Sequence, residues 1–289
     1  MLYFIVNELS GKGKGKDTAK KIRAILEEKR IPYDMRATEY KAHATELAAE
    51  LSRQPDCTGI VAVGGDGTFN EVLNGMDLSL PLGLISSGSG NDFMRVLAPG
   101  KPLEEQLDPI LKGETRNIDY LTVNDKRSLN VAGTGFDVDI LIRQEKFKKV
   151  LSGSFSYFAS LLVTLLSLKF RRFTLSVDGK ELSEDGVLLA MSNGRYFGGG
   201  LPVSPESQIN DGVMDVLLIK KMPWYKIPGV LGKFLKGRIG EAADYAVIYH
   251  GARVTGSVTP AVAIQLDGEL HEMPEFTCEL HPAELTVFA

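Results

Sequence analysis

Two rhythms of apolar and polar residues divide the chain. Over the first hundred positions, short β-prone runs alternate with stretches whose apolar residues recur every three or four places. Residues 2–6 (Leu-Tyr-Phe-Ile-Val) predict a strand that ends at Asn7, and residues 8–16 read as a loop. Asp17 then reads as the N-cap of a helix striped by Ala19, Ile22, Ile25 and Leu26. Residues 33–37 predict a second strand, 42–51 an alanine-rich helix and 59–63 a third strand. Phe69, Val72, Leu73 and Met76 recur at helical spacing, and residues 82–85 predict a fourth strand. A small-residue loop follows at 86–92, where Asp92 is placed to cap a short helix through Phe93, Arg95 and Val96. Such alternation predicts a parallel sheet whose loops gather on its carboxyl edge, where open α/β sheets bind ligands.

The rhythm changes after residue 113. Residues 101–113, with Pro102, Pro109 and Gly113, read as a connection. Short β-like runs follow at 116–123, 128–132, 173–177, 187–191, 213–219, 246–249, 253–258, 262–266, 276–280 and 285–288. Asp178-Gly179 is a tight-hairpin signal. Helical inserts are expected over 137–168 and 224–235. The reading is an α/β nucleotide-binding domain over 1–120 and a mainly antiparallel β domain over 121–289, with the last strand a candidate to return to the first domain.

Composition narrows the function classes. With 44% apolar and 24% charged residues the 289-residue chain is globular, and a net charge of −4 argues against general nucleic-acid binding. Cys57 and Cys278 form no disulfide framework, which suits a reducing cytoplasm, and His43, His250, His271 and His281 follow no metal-ligand spacing. The N-terminus lacks the basic segment and length of a signal peptide. Residues 150–168 carry no charge, but their serines and threonine favour a packed helix over a membrane span.

The most informative stretch is residues 59–75. A buried strand runs into Gly64-Gly65-Asp66-Gly67, and a helix follows Thr68. Strand, glycine loop and helix N-terminus together present backbone N–H groups and a positive dipole end to an anion. Asp66 would repel phosphates unless a cation sat between them, so it points to a magnesium-bridged nucleotide. The lysines of the first loop offer a further attraction for polyphosphate, but that loop lacks the ending of a Walker A motif.

Gly64-Gly-Asp-Gly-Thr-Phe-Asn-Glu71 and Ser87-Gly-Ser-Gly-Asn-Asp-Phe-Met-Arg95 resemble the paired motifs of the diacylglycerol kinase catalytic-domain family, nearest to its soluble bacterial lipid kinases. Asn7, Ser10 and Gly11 stand at its first nucleotide loop, and 210–216 and Leu266-Asp-Gly-Glu269 resemble its later motifs. The resemblance spans residues 7 to 269 in the expected order. It implies an N-terminal Rossmann-like α/β domain and a C-terminal antiparallel β-sandwich-like domain, with the active site in the cleft between them. The implied reaction is transfer of the γ-phosphoryl group of ATP to a lipid hydroxyl with Mg2+, diacylglycerol being the first candidate.

The resemblance also implies roles. Gly64, Gly65, Asp66, Gly67, Thr68, Asn70 and Glu71 would hold the nucleotide, with Asn7, Ser10, Gly11, Thr38 and Ser89 around it. Asp66, Asp92 and Asp119 would converge to organise magnesium, and Gln208, Asp211 and Val213 would hold a second, structural magnesium. At that second site the family more often has Asp where this chain has Asn210. Glu269 would accept the proton of the lipid hydroxyl with Asp267 beside it; two apart in a regular strand, the pair would share one face.

A kinase with a lipid substrate must reach a membrane surface. From Lys220 to Arg238 there are six basic residues and no acid, together with Trp224, Tyr225, Phe234 and Leu235. Arg143, Lys146, Lys148 and Lys149, then Lys169, Arg171 and Arg172, flank the serine-rich helix. Both segments suit an anionic interface, so the expected location is the cytoplasm with peripheral contact at the inner face of the membrane. An oligomer is compatible with the sequence. The alternatives are a kinase for a sphingoid base or similar lipid, an NAD kinase, against which no Thr-Gly-Ser-Thr-Ala-Tyr-like segment is present, and a nucleotide-binding regulatory protein without turnover.

Overall fold

The computed structural model describes residues 1–147 and 154–289. In its first third β1 (Leu2–Val6), β2 (Tyr33–Ala37), β3 (Gly59–Gly64) and β4 (Leu82–Ser86) alternate with α1 (Ser10–Glu28), α2 (His43–Leu51), α3 (Asp66–Gly75), α4 (Met94–Leu97) and α5 (Leu103–Lys112). The strands are parallel in the order β2-β1-β3-β4.

Alternation along each strand decides which helix covers which face. Tyr3, Ile5, Ile60 and Ala62 point to α2 and α3, meeting Leu47, Leu51, Phe69 and Leu73. Phe4, Val6, Val61 and Val63 point the other way, to Ile22 and Leu26 of α1 and Leu107 and Ile110 of α5. The chain therefore leaves β1 over one face and returns to β3 over the other. That places a topological switch point between the carboxyl ends of β1 and β3, where such sheets bind ligands. Phe69 and Leu73 are fully buried. At about 1.5–3 kcal/mol each, their burial fixes α3, a ten-residue helix too short to persist alone.

Two expectations in this half are corrected. Residues 103–112 form helix α5 rather than a connection. Pro102 is its N-cap, Glu104 and Glu105 lie in its first turn, and Gly113 ends it at φ +70°; burial of Leu107 and Ile110 outweighs the hydrogen bond that Pro109 removes. The continuous part of helix α1 starts after Gly13, ahead of Asp17, which is exposed within it and caps nothing. Gly11, Lys12 and Gly13 make a left-handed turn, and Gly15 packs where a Cβ would lie 2.0 Å from the Asn7 carbonyl oxygen.

The second half is antiparallel and sandwich-like. It contains β5 (Thr115–Val123), β6 (Lys126–Ser128), β7 (Val131–Gly135), α6 (Phe136–Phe147), α7 (Ser154–Leu166), β8 (Arg171–Val177) and β9 (Lys180–Ser192). There follow β10 (Tyr196–Phe197), β11 (Leu201–Pro202), β12 (Met214–Lys220), a 3-10 turn (Trp224–Lys226), α8 (Ile227–Leu235), β13 (Ala246–Gly251), β14 (Arg253–Thr259), β15 (Ile264–Leu266), β16 (Glu269–His271) and β17 (Glu275–Phe288). Asp178 and Gly179 make the expected hairpin at φ +46° and +84°. On β12, Met214, Val216 and Leu218 face the main β core, whereas Leu217 and Ile219 face the layer that holds α8.

The expected strands at 276–280 and 285–288 are one, β17, bent at a register shift between His281 and Leu285. It pairs with β14 and β5 and then, at Val287, runs parallel to β4 at Leu82, so the last strand returns to the first sheet. The helical insert is two packed helices, α6 and α7; residues 148–153, including Lys148 and Lys149, lie outside the described residues. No helix among the described residues is long and apolar enough to cross a membrane.

Candidate active site

Three loops meet at the carboxyl edge of β1, β3 and β4. Their close approach depends on glycine. A Cβ on Gly88 would lie 2.6 Å from the Gly65 Cα, and one on Gly64 would lie 2.4 Å from Thr68 Oγ1. Gly11, at φ +57°, would bring a Cβ to 2.0 Å from the Ser87 carbonyl oxygen. Hydrogen bonds tie the loops together: Asn7 Nδ2 donates to Thr68 Oγ1 at 3.2 Å, Ser10 Oγ and Ser87 Oγ lie 2.6 Å apart, and the Ser87 N–H donates to the Gly64 carbonyl at 2.7 Å. Asn7, Ser10, Gly11, Gly64, Gly65, Gly67 and Thr68 thus fall together around the N-terminus of α3. The first N–H groups of that helix have no carbonyl one turn back. Thr38 follows β2 on the same edge, and Ser89 is exposed at the tip of the third loop.

Two of the three expected carboxylates converge. Gly90 sits between Asp66 and Asp92: its Cβ position is 3.0 Å from Asp66 Oδ2 and 3.8 Å from Asp92 Oδ2. Asp66 accepts the Phe93 N–H at 3.2 Å. Burial, then the nearby Asp92 charge, push the Asp66 carboxyl up to about 6. Burial likewise raises that of Asp92. Asp92 Oδ2 takes the Gly199 N–H at 2.8 Å, and Oδ1 has only Arg95 Nε, at an ion-pair distance of 3.5 Å. Helix α4 has no side-chain cap, so the capping role expected of Asp92 gives way to this contact with the β10–β11 hairpin. That hairpin turns through Gly198, Gly199 and Gly200, all at positive φ. The triple glycine was the sequence signal for it.

Asp119 does not join the pair. It is buried on β5, where Oδ2 accepts the Gly212 N–H at 2.8 Å and Oδ1 the Ala283 N–H at 2.7 Å. The described residues contain no group of three acidic, histidine or cysteine side chains placed around one point. The loop beyond Asp119 is a turn in which Asp211 Oδ1 accepts the Val213 N–H at 3.0 Å; Gln208 and Asp211 are exposed.

Three more residues assigned to the site are committed elsewhere. Glu71 takes the N–H groups of Ala42 and Ala44 at 3.0 and 3.2 Å, so it closes the start of α2. Asn70 Nδ2 donates to the Arg127 carbonyl and to Asp267 Oδ2, each at 3.0 Å, joining the two halves of the chain. Asp267 is not a free base. Its carboxylate accepts Ser128 Oγ, the N–H groups of Leu129, Asn130 and Val131, and the Asn70 amide, all within 2.8–3.1 Å. Those bonds also divide the run expected over 128–132 into β6 and β7. Asp267 and Gly268 form a tight turn at φ +50° and +94°, so the expected shared strand face does not exist.

Glu269, the first residue of β16, is carried by that turn to the mouth of the glycine loop. Its Oε1 is 3.6 Å from the Cβ position of Gly67, and its Oε2 pairs with Lys41 Nζ at 2.7 Å. Gln265 steadies the turn by accepting the Gly268 N–H at 2.8 Å. Lys41, Gln265 and Arg127, whose guanidinium caps α3 at the carbonyls of Leu73 and Met76, carry no local sequence signal. Deeper in the second domain, Asp137 at the start of α6 is buried beside Gln265 with neither oxygen hydrogen-bonded, and burial pushes it up to about 7.

The site therefore joins a glycine-lined helix N-terminus and a close carboxylate pair, with Arg95 beside Asp92, on one domain to Glu269 from the other. Residues 1–123 match the family model "Diacylglycerol kinase catalytic domain", and residues 130–289 match "YegS C-terminal NAD kinase beta sandwich-like domain". The chain is 30% identical over 271 residues to a protein of Bacillus subtilis (strain 168) named diacylglycerol kinase, covering 92% of this chain and 88% of that one. It is 32% identical over 219 residues to the "Probable lipid kinase YegS-like" of Yersinia enterocolitica, covering 73% of each. The fold matches the crystal structure of a diacylglycerol kinase from Bacillus anthracis str. Sterne, with a TM-score of 0.81 and 24% identity over 99% of this chain and 96% of that one. On its two family-model matches and its likeness to the Bacillus subtilis protein, the chain belongs to the diacylglycerol/lipid kinase family.

Proposed function

We propose that this protein transfers the γ-phosphoryl group of Mg-ATP to the hydroxyl of a membrane lipid, diacylglycerol first among them. The observation that carries the reading is the position of Glu269, whose Oε1 lies 3.6 Å from the Gly67 Cβ position at the N-terminus of α3. A carboxylate that faces a phosphate-type cradle from the opposite domain suits a proton acceptor for an incoming hydroxyl.

The Gly64–Gly67 backbone and the α3 N-terminus bind and orient the polyphosphate. Asn7 and Ser10 hold the first loop against that cradle through Thr68 and Ser87. Asp66 and Asp92 fit a divalent cation: both are raised carboxyls, and Asp92 Oδ1 lacks a hydrogen-bond partner. When bound there, magnesium supplies positive charge against the phosphate oxygens. The turn at Gln208, Asp211 and Val213 offers less to a second cation, since Asp211 is engaged by a backbone N–H, and no step is assigned to it. Glu269 Oε1 takes the proton of the attacking hydroxyl, while Lys41 and the Asp267 turn hold its carboxylate in place.

The test is phosphate transfer from labelled ATP to lipids presented singly in mixed micelles. Labelled phosphatidic acid is expected with diacylglycerol, and Glu269→Gln is expected to lower kcat by roughly 10²–10⁴ with ATP binding retained. Label on a sphingoid base would move the substrate and keep the mechanism. ATP binding without a product on any lipid would overturn the reading in favour of a regulatory protein.

A further inference from the structure

We propose that the surface formed by the 3-10 turn at Trp224–Lys226, the start of α8 and the α7–β8 connection docks on an anionic lipid bilayer. The inference deepens the lipid-kinase reading by assigning the face that meets the membrane. Trp224 is 81% exposed, Tyr225 61% and Leu166, at the end of α7, 81%. Side chains this apolar are rarely left in water without a partner surface. Residues 166–170 and 221–226 are more than fifty positions apart in sequence. They are joined in space by Lys221 Nζ, which lies 5.4 Å from the ring centre of Phe170. The two basic, aromatic segments thus make one surface.

Charge selects the occupant. Several cations bordering the patch are spent on carboxylates: Lys220 on Glu184, Arg172 on Asp185 and Arg238 on Glu241. Lys221 and Lys226 lie over the rings of Phe170 and Tyr225, and neither has a carboxylate partner among the described residues. Aromatic rings flanked by unneutralised lysines match the interface of a bilayer with anionic headgroups, where the rings enter the boundary layer and the ammonium groups meet phosphates. The patch is also wired to the site. Phe234 of α8 packs edge-on against Phe197 of β10 at 6.2 Å, and the tip of that hairpin gives its Gly199 N–H to Asp92.

Trp224 is the sole tryptophan of the chain, so its emission reports on this surface alone. The full-length protein is titrated with phosphatidylglycerol/phosphatidylcholine vesicles whose acyl chains are brominated, and with phosphatidylcholine vesicles as control. Expected results are a blue shift and quenching on the anionic vesicles, loss of both in high salt, and binding weakened about thirtyfold or more by the double change Lys221→Glu and Lys226→Glu. Trp224→Ala is expected to weaken co-sedimentation while leaving turnover of a short-chain, monomeric diacylglycerol unchanged. Co-sedimentation with unshifted, unquenched emission would overturn the proposal, as would absence of binding. Concentration-dependent self-association that shields Trp224 without vesicles would assign the patch to a second copy and overturn it too. Vesicle binding by a protein that phosphorylates no lipid would sustain the docking surface and sink the kinase reading, so the two failures are separable.

Discussion

Asp66-Gly67 and Asp267-Gly268 are spelled alike and face the same cleft, yet their carboxylates are treated in opposite ways. Asp267 is satisfied by five donors, three of them consecutive backbone N–H groups. Asp66 has only the neighbouring backbone N–H groups of Asp92 and Phe93, and a second carboxylate for a neighbour. A saturated carboxylate behaves as a rivet: it fixes a turn and has no lone pair left for chemistry. A carboxylate short of donors and near a like charge has spare electrostatic demand that only a proton or a cation can meet. On the proposed function, the shortage marks the reactive side of this cleft, and the saturation marks its framework.

The sharpest way to break the comparison is to remove each charge while keeping the shape. Asp66→Asn is expected to lower phosphoryl transfer by roughly 10³-fold or more, with an unchanged or higher melting temperature, because a poorly solvated charge is removed. A large fall in stability would make Asp66 a framework residue after all. Asp267→Asn, which tolerates the same positive φ, is expected to destabilise folding by on the order of 4 kcal/mol in denaturant titrations, since several donors lose a charged acceptor at once. A stable but inactive Asp267→Asn protein would instead return Asp267 to the chemistry.

A smaller effect sharpens the same contrast through pH. A carboxyl raised to about 6 in the folded protein keeps its proton in a range where the unfolded chain has lost it. Its contribution to stability is therefore present at low pH and is lost as pH rises from the unfolded carboxylate range through about 6. Cation binding requires the ionised form, so Mg-nucleotide binding is expected to release a fraction of a proton near pH 6. Calorimetry in buffers of different ionisation enthalpy measures that release, and it is expected to vanish in Asp66→Asn. Equal release in the variant would assign the proton to another group.

Much of the fold was legible in the sequence because its cause is local. Short continuous apolar runs followed by helical stripes imposed the parallel βα units, and Asp178-Gly179 imposed its hairpin, since positive φ at both positions suits that pair. Helix α5 had local signals too, in Pro102, Glu104, Glu105 and Gly113; Pro109 hid them, because a proline costs a helix one bond and this helix regains it by burying Leu107 and Ile110.

By itself, then, the sequence determined the two-part architecture, the glycine cradle and the identity of the groups facing it, because strand period, glycine stereochemistry and helix N-termini act over a few residues. Only the tertiary structure decided which carboxylates are free. Glu71 closes α2 some thirty positions away, Asp119 clasps Gly212 and Ala283, and Asp267 is held by residues more than 130 positions upstream, while Asp66 is left with Asp92. A carboxylate's role depends on its donors and its burial, and both are set by contacts that form only when distant segments pack.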